Sequence, residues 1–343
     1  MKKLSLFNKF IFVVNSLAAF FLLISYLLPY VPPKSFATLS VLSLGVPLLI
    51  LLNIVFFLYW LLQLKKQMLL SLVVLVLGWN YLGALYKFSS SEPIEESGNV
   101  SVMSFNVRLF NKYNWKPNKT TREDILDFFH KESPDIICIQ EYTRGTPINL
   151  EGYTDYNGRY TKNAKGGHTI FTKFPIVNSG SLEFTNTDNN AIFVDIVKDK
   201  DTVRIYNVHL QSAKINTEMD YLNSQYSRDV FLERVKAAFK AQQSQVELFL
   251  EHKSKCPYKI IVAGDFNNTA YSYSYKEILG DDLKDAFEKA GHGFGKSFDF
   301  KFFPLRIDFV LADKRLKING FKTYNDISLS DHFPIKATLN LNQ

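Results

Sequence analysis

The chain has 343 residues, 47% of them hydrophobic, with 40 Lys and Arg against 33 Asp and Glu. That length and composition exclude a disordered, collagen-like or disulfide-stapled protein. The net charge of +7 invites a nucleic-acid reading, but residues 1–90 hold seven lysines (Lys2, Lys3, Lys9, Lys34, Lys65, Lys66, Lys87) and no acid; removing those seven leaves 33 basic and 33 acidic residues after position 90, so no broadly basic, phosphate-neutralising surface is expected there.

Between the lysines lie three charge-free windows, residues 10–33, 35–64 and 67–86, each long enough for a spanning helix. The first runs from Phe10 to Leu28 before Pro29, the second from about Phe36 to Leu64, and the third, Met68–Leu85, is the least apolar, with Asn80 and two glycines. A cleaved signal peptide suits the first window poorly, because it is too long and no small-x-small cleavage site follows. A channel is disfavoured because the spans carry no charge at their centres. Five lysines (Lys2, Lys3, Lys9, Lys65, Lys66) flank one face and two (Lys34, Lys87) the other, which places the N-terminus in the cytoplasm and everything after Lys87 outside it. An integral protein of the bacterial inner membrane is the resulting expectation. A membrane module over residues 1–90, a polar linker over 91–98 and one domain over 99–343 complete the organisation.

Short β-branched and aromatic runs recur in the large domain: Val100–Val107, Ile136–Ile139, Thr169–Phe171, Ala191–Val197, Val203–Val208, Ile260–Ala263, Ile307–Leu311 and Ile335–Leu341. Helical patterns stand at Arg122–Lys131, Phe231–His252 and Tyr275–Leu279, so a mixed α/β fold is predicted. Cys138 and Cys256 border or enter apolar runs and read as free thiols. Chemistry collects where the runs stop: Glu141 after Gln140, His209 after Val208, Asp265-Phe-Asn267 after Gly264, and Asp331-His332 after Ser330. Singly these could be an Asx turn, a helix cap or a surface histidine. Together, on strands that share a direction, they converge on one rim.

Five ordered motifs, Ser104-Phe-Asn-Val107, Ile139-Gln-Glu141, Asn207-Val-His-Leu210, Gly264-Asp-Phe-Asn267, and Arg306-Ile-Asp308 with Ser330-Asp-His332, resemble the endonuclease/exonuclease/phosphatase superfamily in a membrane-anchored bacterial form. The resemblance covers nearly all of residues 99–343 and implies a four-layer α/β sandwich, two packed β-sheets flanked by helices, behind three transmembrane helices. It also implies a metal-dependent phosphoester hydrolase. Glu141 would be the principal ligand of Mg2+ or Mn2+, with Asp331 and Asn106 helping to hold or orient it, since hard cations prefer oxygen donors. Asp265 would position and deprotonate water, Asn267 would hydrogen-bond the phosphoryl oxygens, and His209 and His332 would meet the developing charge, one of them oriented by Asp308. Arg108, where many relatives carry an acidic or small residue, and His168 are candidate substrate contacts, each with a structural alternative.

His130, His252 and His292 read as structural or solvent-exposed. The run Tyr271-Ser-Tyr-Ser-Tyr275 could stack on a base or sugar but is better explained by packing, and Ser212–Asp229 is either a mobile flap or a plain loop. The neutral large domain and the membrane tether favour a small or lipid phosphoester outside the cytoplasm. An anchored nuclease on DNA or RNA is the alternative among enzymes, and a catalytically idle module binding phosphorylated ligands is the alternative from another class. Protein partners cannot be read from the sequence.

Overall fold

Residues 4–88, 93–143, 148–158, 166–214 and 228–341 are described in the computed structural model. The apolar windows fold into α1 (Leu6–Ser25), α2 (Pro33–Ser40), α3 (Val46–Leu62), α4 (Met68–Leu77) and α5 (Trp79–Leu85). Three polar residues inside this bundle bond one another: Asn15 Nδ2 donates to Ser71 Oγ at 2.7 Å and Trp60 Nε1 donates to Asn15 Oδ1 at 2.9 Å, which ties α1, α3 and α4 together. Leu6–Tyr30 and Pro33–Leu62 are long and apolar enough to cross a membrane.

The third window departs from the three-span expectation. It breaks at Gly78 with a bend of 79°, and makes a span only if α4 and α5 are counted together. Tyr26 causes the close approach there. Its hydroxyl donates to Val74 O at 2.9 Å, and a Cβ on Gly78 would lie 2.0 Å from that same oxygen of Tyr26. The second window is also subdivided, because Phe36 leaves helical geometry (φ −136°, ψ 57°).

The remaining chain builds two sheets. Strands β2 (Asn99–Asn106), β3 (Ile136–Thr143), β4 (Thr154–Asn157), β5 (Gly166–Thr172), β13 (Lys317–Thr323) and β14 (Ile335–Asn340) form one, in the order β13-β14-β2-β3-β5-β4. Strands β6 (Ile176–Ser181), β7 (Ala191–Lys198), β8 (Asp201–His209), β9 (Lys259–Asp265), β10 (Leu283–Asp285) and β12 (Asp308–Asp313) form the other, in the order β10-β12-β9-β8-β7-β6. A separate ribbon pairs β1 (Lys87–Phe88) with β11 (His292–Gly293). Each large sheet has one parallel pair at its centre, β2 with β3 and β8 with β9. Parallel neighbours need a crossover, supplied by α6 (Thr121–Glu132) and α7 (Arg228–Ser254).

Val102, Ile136 and Cys138 face Ile205, Ile261 and Ala263 between the sheets. Phe105 and Ile139 turn outward to Ile125 and Phe129 of α6, while Tyr206 and Val262 meet Val246 and Phe249 of α7. Layers therefore run helix, sheet, sheet, helix. Both faces of β3 are covered, which is why Ile-Ile-Cys-Ile shows no alternation. α8 (Tyr273–Leu279) and α9 (Ala286–Ala290) complete the described helices.

The apolar helices dock on this sandwich. Lys34 N donates to Gln243 Oε1 on α7 at 2.8 Å, Thr269 Oγ1 to Ser43 O at 2.9 Å, and Arg306 Nη2 to Ala84 O at 3.3 Å. Tyr271 stacks on Tyr81 with centroids 5.7 Å apart.

Candidate active site

Strand register sets two facing rows of side chains. In one sheet Asp265 is flanked by its register partners His209 on β8 and Asp308 on β12. In the other, Asn106 aligns with Gln140, and Gln140 with His168 of β5. Asn106 bridges the rows, its Nδ2 donating to Asp265 Oδ2 at 3.0 Å and to Glu141 Oε1 at 3.2 Å. Beneath them Gln140 Nε2 donates to Asn207 Oδ1 at 2.7 Å, and Asn207 Nδ2 donates to Ile139 O at 2.8 Å and Thr169 O at 3.0 Å. These two buried amides fasten sheet to sheet directly under the site. Both lie inside the sequence motifs, yet their bridging role was not anticipated; the available signal was a polar residue at an inward position of an apolar strand.

Local backbone aims the functional groups. Simple alternation would send Glu141 toward α6 with Ile137 and Ile139. A register shift between Gln140 and Tyr142, with Glu141 at φ 53°, turns it to Asn106 instead. Gly264 has φ 148°, and a Cβ there would lie 1.9 Å from Val208 O, so only glycine lets β9 deliver Asp265 beside His209. Asn267 (φ 49°) closes a turn, its N–H on Asp265 Oδ1 at 2.8 Å and its Nδ2 on Leu210 O at 3.0 Å and Asp265 Oδ2 at 3.2 Å. Arg108 to Asn111 are four successive residues with φ between 44° and 57°, a strained left-handed turn at the rim. It carries the Arg108 guanidinium to Asp331 at 3.1 Å and over Trp115, 4.6 Å from the ring centroid. Ser297 Oγ accepts from Ile307 N and Asp308 N, both at 3.0 Å, and so seats Asp308; no motif marked it.

Asp308 touches His332, the partner left open by the sequence. His332 Nδ1 lies 2.9 Å from Asp308 Oδ2, and its Nε2 lies 3.6 Å from Asp265 Oδ2. Burial alone would lower the His332 pKa, but the carboxylates of Asp308 and Asp265 outweigh it and raise it to about 10. Burial pushes Asp265 up to about 7, with His332 opposing and Asp308 adding. His209 and His168 are driven the other way by burial: His168 to about 4, and His209 well below the ordinary value, where the other two histidines add to the effect. Their rings meet edge to face at 5.4 Å, and both Nε2 atoms are buried without a hydrogen-bond partner among the described residues.

Two groups of donors could hold a cation. Asp265, Asp308 and His332 offer atoms within 4.8 Å of one another. In that set His332 has its Nδ1 engaged with Asp308 at 2.9 Å, which leaves only Nε2 as a nitrogen donor, a poorer partner than oxygen for a hard cation. Glu141 and Asp331 suit one better: burial first, then the Asp331 charge, raises the Glu141 pKa, which marks two carboxylates in want of a hard cation. Asn106 presents nitrogen rather than oxygen to Glu141, an orienting geometry rather than a ligating one.

The other singled-out residues stand apart from this cluster. Tyr271 and Tyr275 are buried, the latter donating to Asp285 Oδ2 at 2.8 Å, so neither is open to a base or sugar. Arg306, in the same motif as Asp308, holds Asp285 at 2.6 Å and the carbonyl of Ala84. His252 bonds Tyr206 Oη at 2.8 Å, His130 is exposed near the end of α6, and His292 belongs to the β1–β11 ribbon. Of Ser212–Asp229, residues 215–227 lie outside the described ones.

The endonuclease/exonuclease/phosphatase family profile matches residues 103–332, two thirds of the chain and every element of the site. The chain belongs to that family. Members of the family are metal-dependent phosphoester hydrolases, and this protein is an enzyme of that class. Residues 8–85 match a domain family of unknown function. No curated protein matches the sequence. Similar solved structures include an endonuclease/exonuclease/phosphatase family protein from Bacteroides thetaiotaomicron (20% identity, TM-score 0.53, covering 72% of this chain and 98% of that one) and the human Nocturnin catalytic domain with bound sulfate (18%, 0.52, 73% and 99%). Another is TDP2 of D. rerio complexed with single-strand DNA product (16%, 0.52, 71% and 100%). At these identities they establish the shared fold, two mixed sheets flanked by helices.

Proposed function

We propose that this family member is a membrane-anchored hydrolase of small or lipid phosphoesters, with residues 1–90 as anchor, 91–98 as linker and 99–343 as a catalytic domain outside the cytoplasm of a bacterium. The observation that carries the reading is where the apolar helices dock: the carbonyls of Ser43 and Tyr81 accept from Thr269 and Tyr271, which follow directly after Asp265 and Asn267 in the chain. A substrate in or near the bilayer surface then meets the site without diffusing far.

Glu141 and Asp331 would hold Mg2+ or Mn2+, which when bound supplies positive charge to a phosphoryl oxygen. Asp265 takes the proton of the attacking water, a task matched to a carboxyl titrating near neutrality. Asn106 aligns Asp265 with Glu141, and Asn267 anchors Asp265 until the water takes over that bond. His332, kept protonated by Asp308, and the neutral Nε2 groups of His209 and His168 donate to the phosphoryl oxygens as negative charge builds. Arg108, held between Asp331 and Trp115, reaches the substrate's next charged group.

A nuclease is the second reading, favoured by the exposed Tyr113 and Trp115 beside Arg108, where a base can stack. The test is hydrolysis by the full-length protein in lipid nanodiscs, with Mg2+, Mn2+ or chelator, on phospholipid headgroups, small diesters and monoesters, DNA and RNA. Preference for headgroups or small esters supports the first reading; preference for DNA or RNA replaces it with the second. Reporter fusions after Lys87 that are active only in the cytoplasm overturn the orientation.

A further inference from the structure

Between the apolar helices and α7 runs an open groove of about 800 Å3 that shares no lining residue with the Asp265 site. One wall is apolar and stays in the open: Phe21 on α1 is 44% exposed, and Phe36 and Leu39 on α2 are 62% and 37% exposed. The opposite wall is α7, with Lys236 and Lys240 one turn apart, and Lys34 stands at the start of α2. Among the described residues Glu233 is the only acid lining it, and it pairs with Lys236 at 2.8 Å, while Lys34 reaches out of the groove to Glu247 at 2.5 Å. Among the described residues Lys240 has no ion-pair partner.

A water-soluble anion would satisfy the lysines and leave Phe21, Phe36 and Leu39 bare. A molecule with an anionic head and long apolar chains covers both walls. We infer that this groove binds an anionic phospholipid, its phosphate between Lys236 and Lys240 and its acyl chains along Phe21 and Phe36 of the membrane helices. The inference rests on the reading of those helices as a membrane anchor. The site has a direct route to the catalytic loop: Gln242, two residues beyond Lys240 on α7, donates to Phe266 O at 3.3 Å and Asn267 O at 3.2 Å. A lipid seated on Lys236 and Lys240 therefore steadies the helix that holds the Asp265 turn.

The full-length protein in neutral detergent is titrated with phosphatidylglycerol or phosphatidylcholine, and bound lipid is counted by native mass spectrometry, a readout independent of hydrolysis. Phosphatidylglycerol is expected to be retained in preference, and excess inorganic phosphate does not displace it. K236E/K240E weakens retention about tenfold, K236R/K240R preserves it, and K65E/K66E, beyond the far end of α3, leaves it unchanged. Equal retention of the two lipids, or equal loss in K65E/K66E, overturns the groove as a specific site. A chain that is monodisperse without detergent overturns the anchor itself and with it the lipid site.

Discussion

Asp265 and His332 illustrate how burial and neighbouring charge assign opposite protonation tasks to two groups 3.6 Å apart. Asp265→Asn is expected to lower kcat about 10²- to 10⁴-fold, with the divalent cation still bound as judged by calorimetry. Activity in the wild type should rise with pH through about 7 as Asp265 loses its proton, and fall near 10 as His332 does. Asp308→Asn should cost about 10- to 100-fold in kcat and move the alkaline limb to lower pH, since the carboxylate that keeps His332 protonated is gone; an unmoved limb in the pH profile would show that His332 is not the group responsible. His168 makes a separate stability prediction. Its folded pKa of about 4 lies below the unfolded value, so its contribution is present above pH 6.5 and is lost as pH falls toward 4. His168→Gln should therefore recover about 3 kcal/mol of unfolding free energy at acid pH relative to pH 7.5, read from urea midpoints. Asn106, His209 and Asp265 were legible in sequence because they close apolar strands, whereas Asp308 opens β12 and Asp331 and His332 precede β14 on strands of the opposite direction; the identity of the Asp308 partner and the opposed titration were not legible, since both depend on distances between segments far apart in the chain.

At the scale of elements, the two parallel pairs explain most of what the apolar runs predicted. β2, β3, β8 and β9 are covered on both faces and read as unbroken β-branched runs, and α6 and α7 carry the expected helical period. β4, β6 and β13 were missed because Thr-Asp-Tyr-Asn, Ile-Val-Asn-Ser-Gly-Ser and Lys-Ile-Asn-Gly-Phe-Lys-Thr are polar edge strands with little apolar surface to bury. The Glu141 bulge and the left-handed turn at Arg108 were equally hidden, because neither contains the glycine that usually announces positive φ. Gly264 does announce it. Gly264→Ala is expected to destabilise the protein by about 3 kcal/mol or more, because the new methyl meets the Val208 backbone; a thermal midpoint within a degree of wild type would refute the close approach of β8 and β9.

In the whole molecule the apolar N-terminal helices meet the sandwich through a small set of contacts around Thr269, Tyr271 and Arg306. A fragment of residues 93–341 loses Tyr81 from Tyr271 and Ser43 from Thr269, uncovering apolar surface beside the catalytic loop. It is expected to be less stable than the full chain and to hydrolyse even a soluble ester more slowly. Tyr271→Ala in the full chain should reproduce part of that loss, about 3–5 kcal/mol, and a fragment with wild-type kcat and midpoint would separate anchor from site.

Mixed α/β character was legible in the sequence through apolar periodicity, the enzyme class and layered sandwich through the resemblance its ordered motifs carry, and those motifs nominated the residues that the fold then brings together, because both signals are local properties of the chain. Only the folded chain shows which histidine Asp308 holds, that Glu141 turns inward on a bulge, that the third apolar window bends at Gly78, and that the apolar helices seat against the loop after Asp265. Each of these is a distance between segments remote in the chain, fixed by strand register and by helix packing rather than by any one residue's preference.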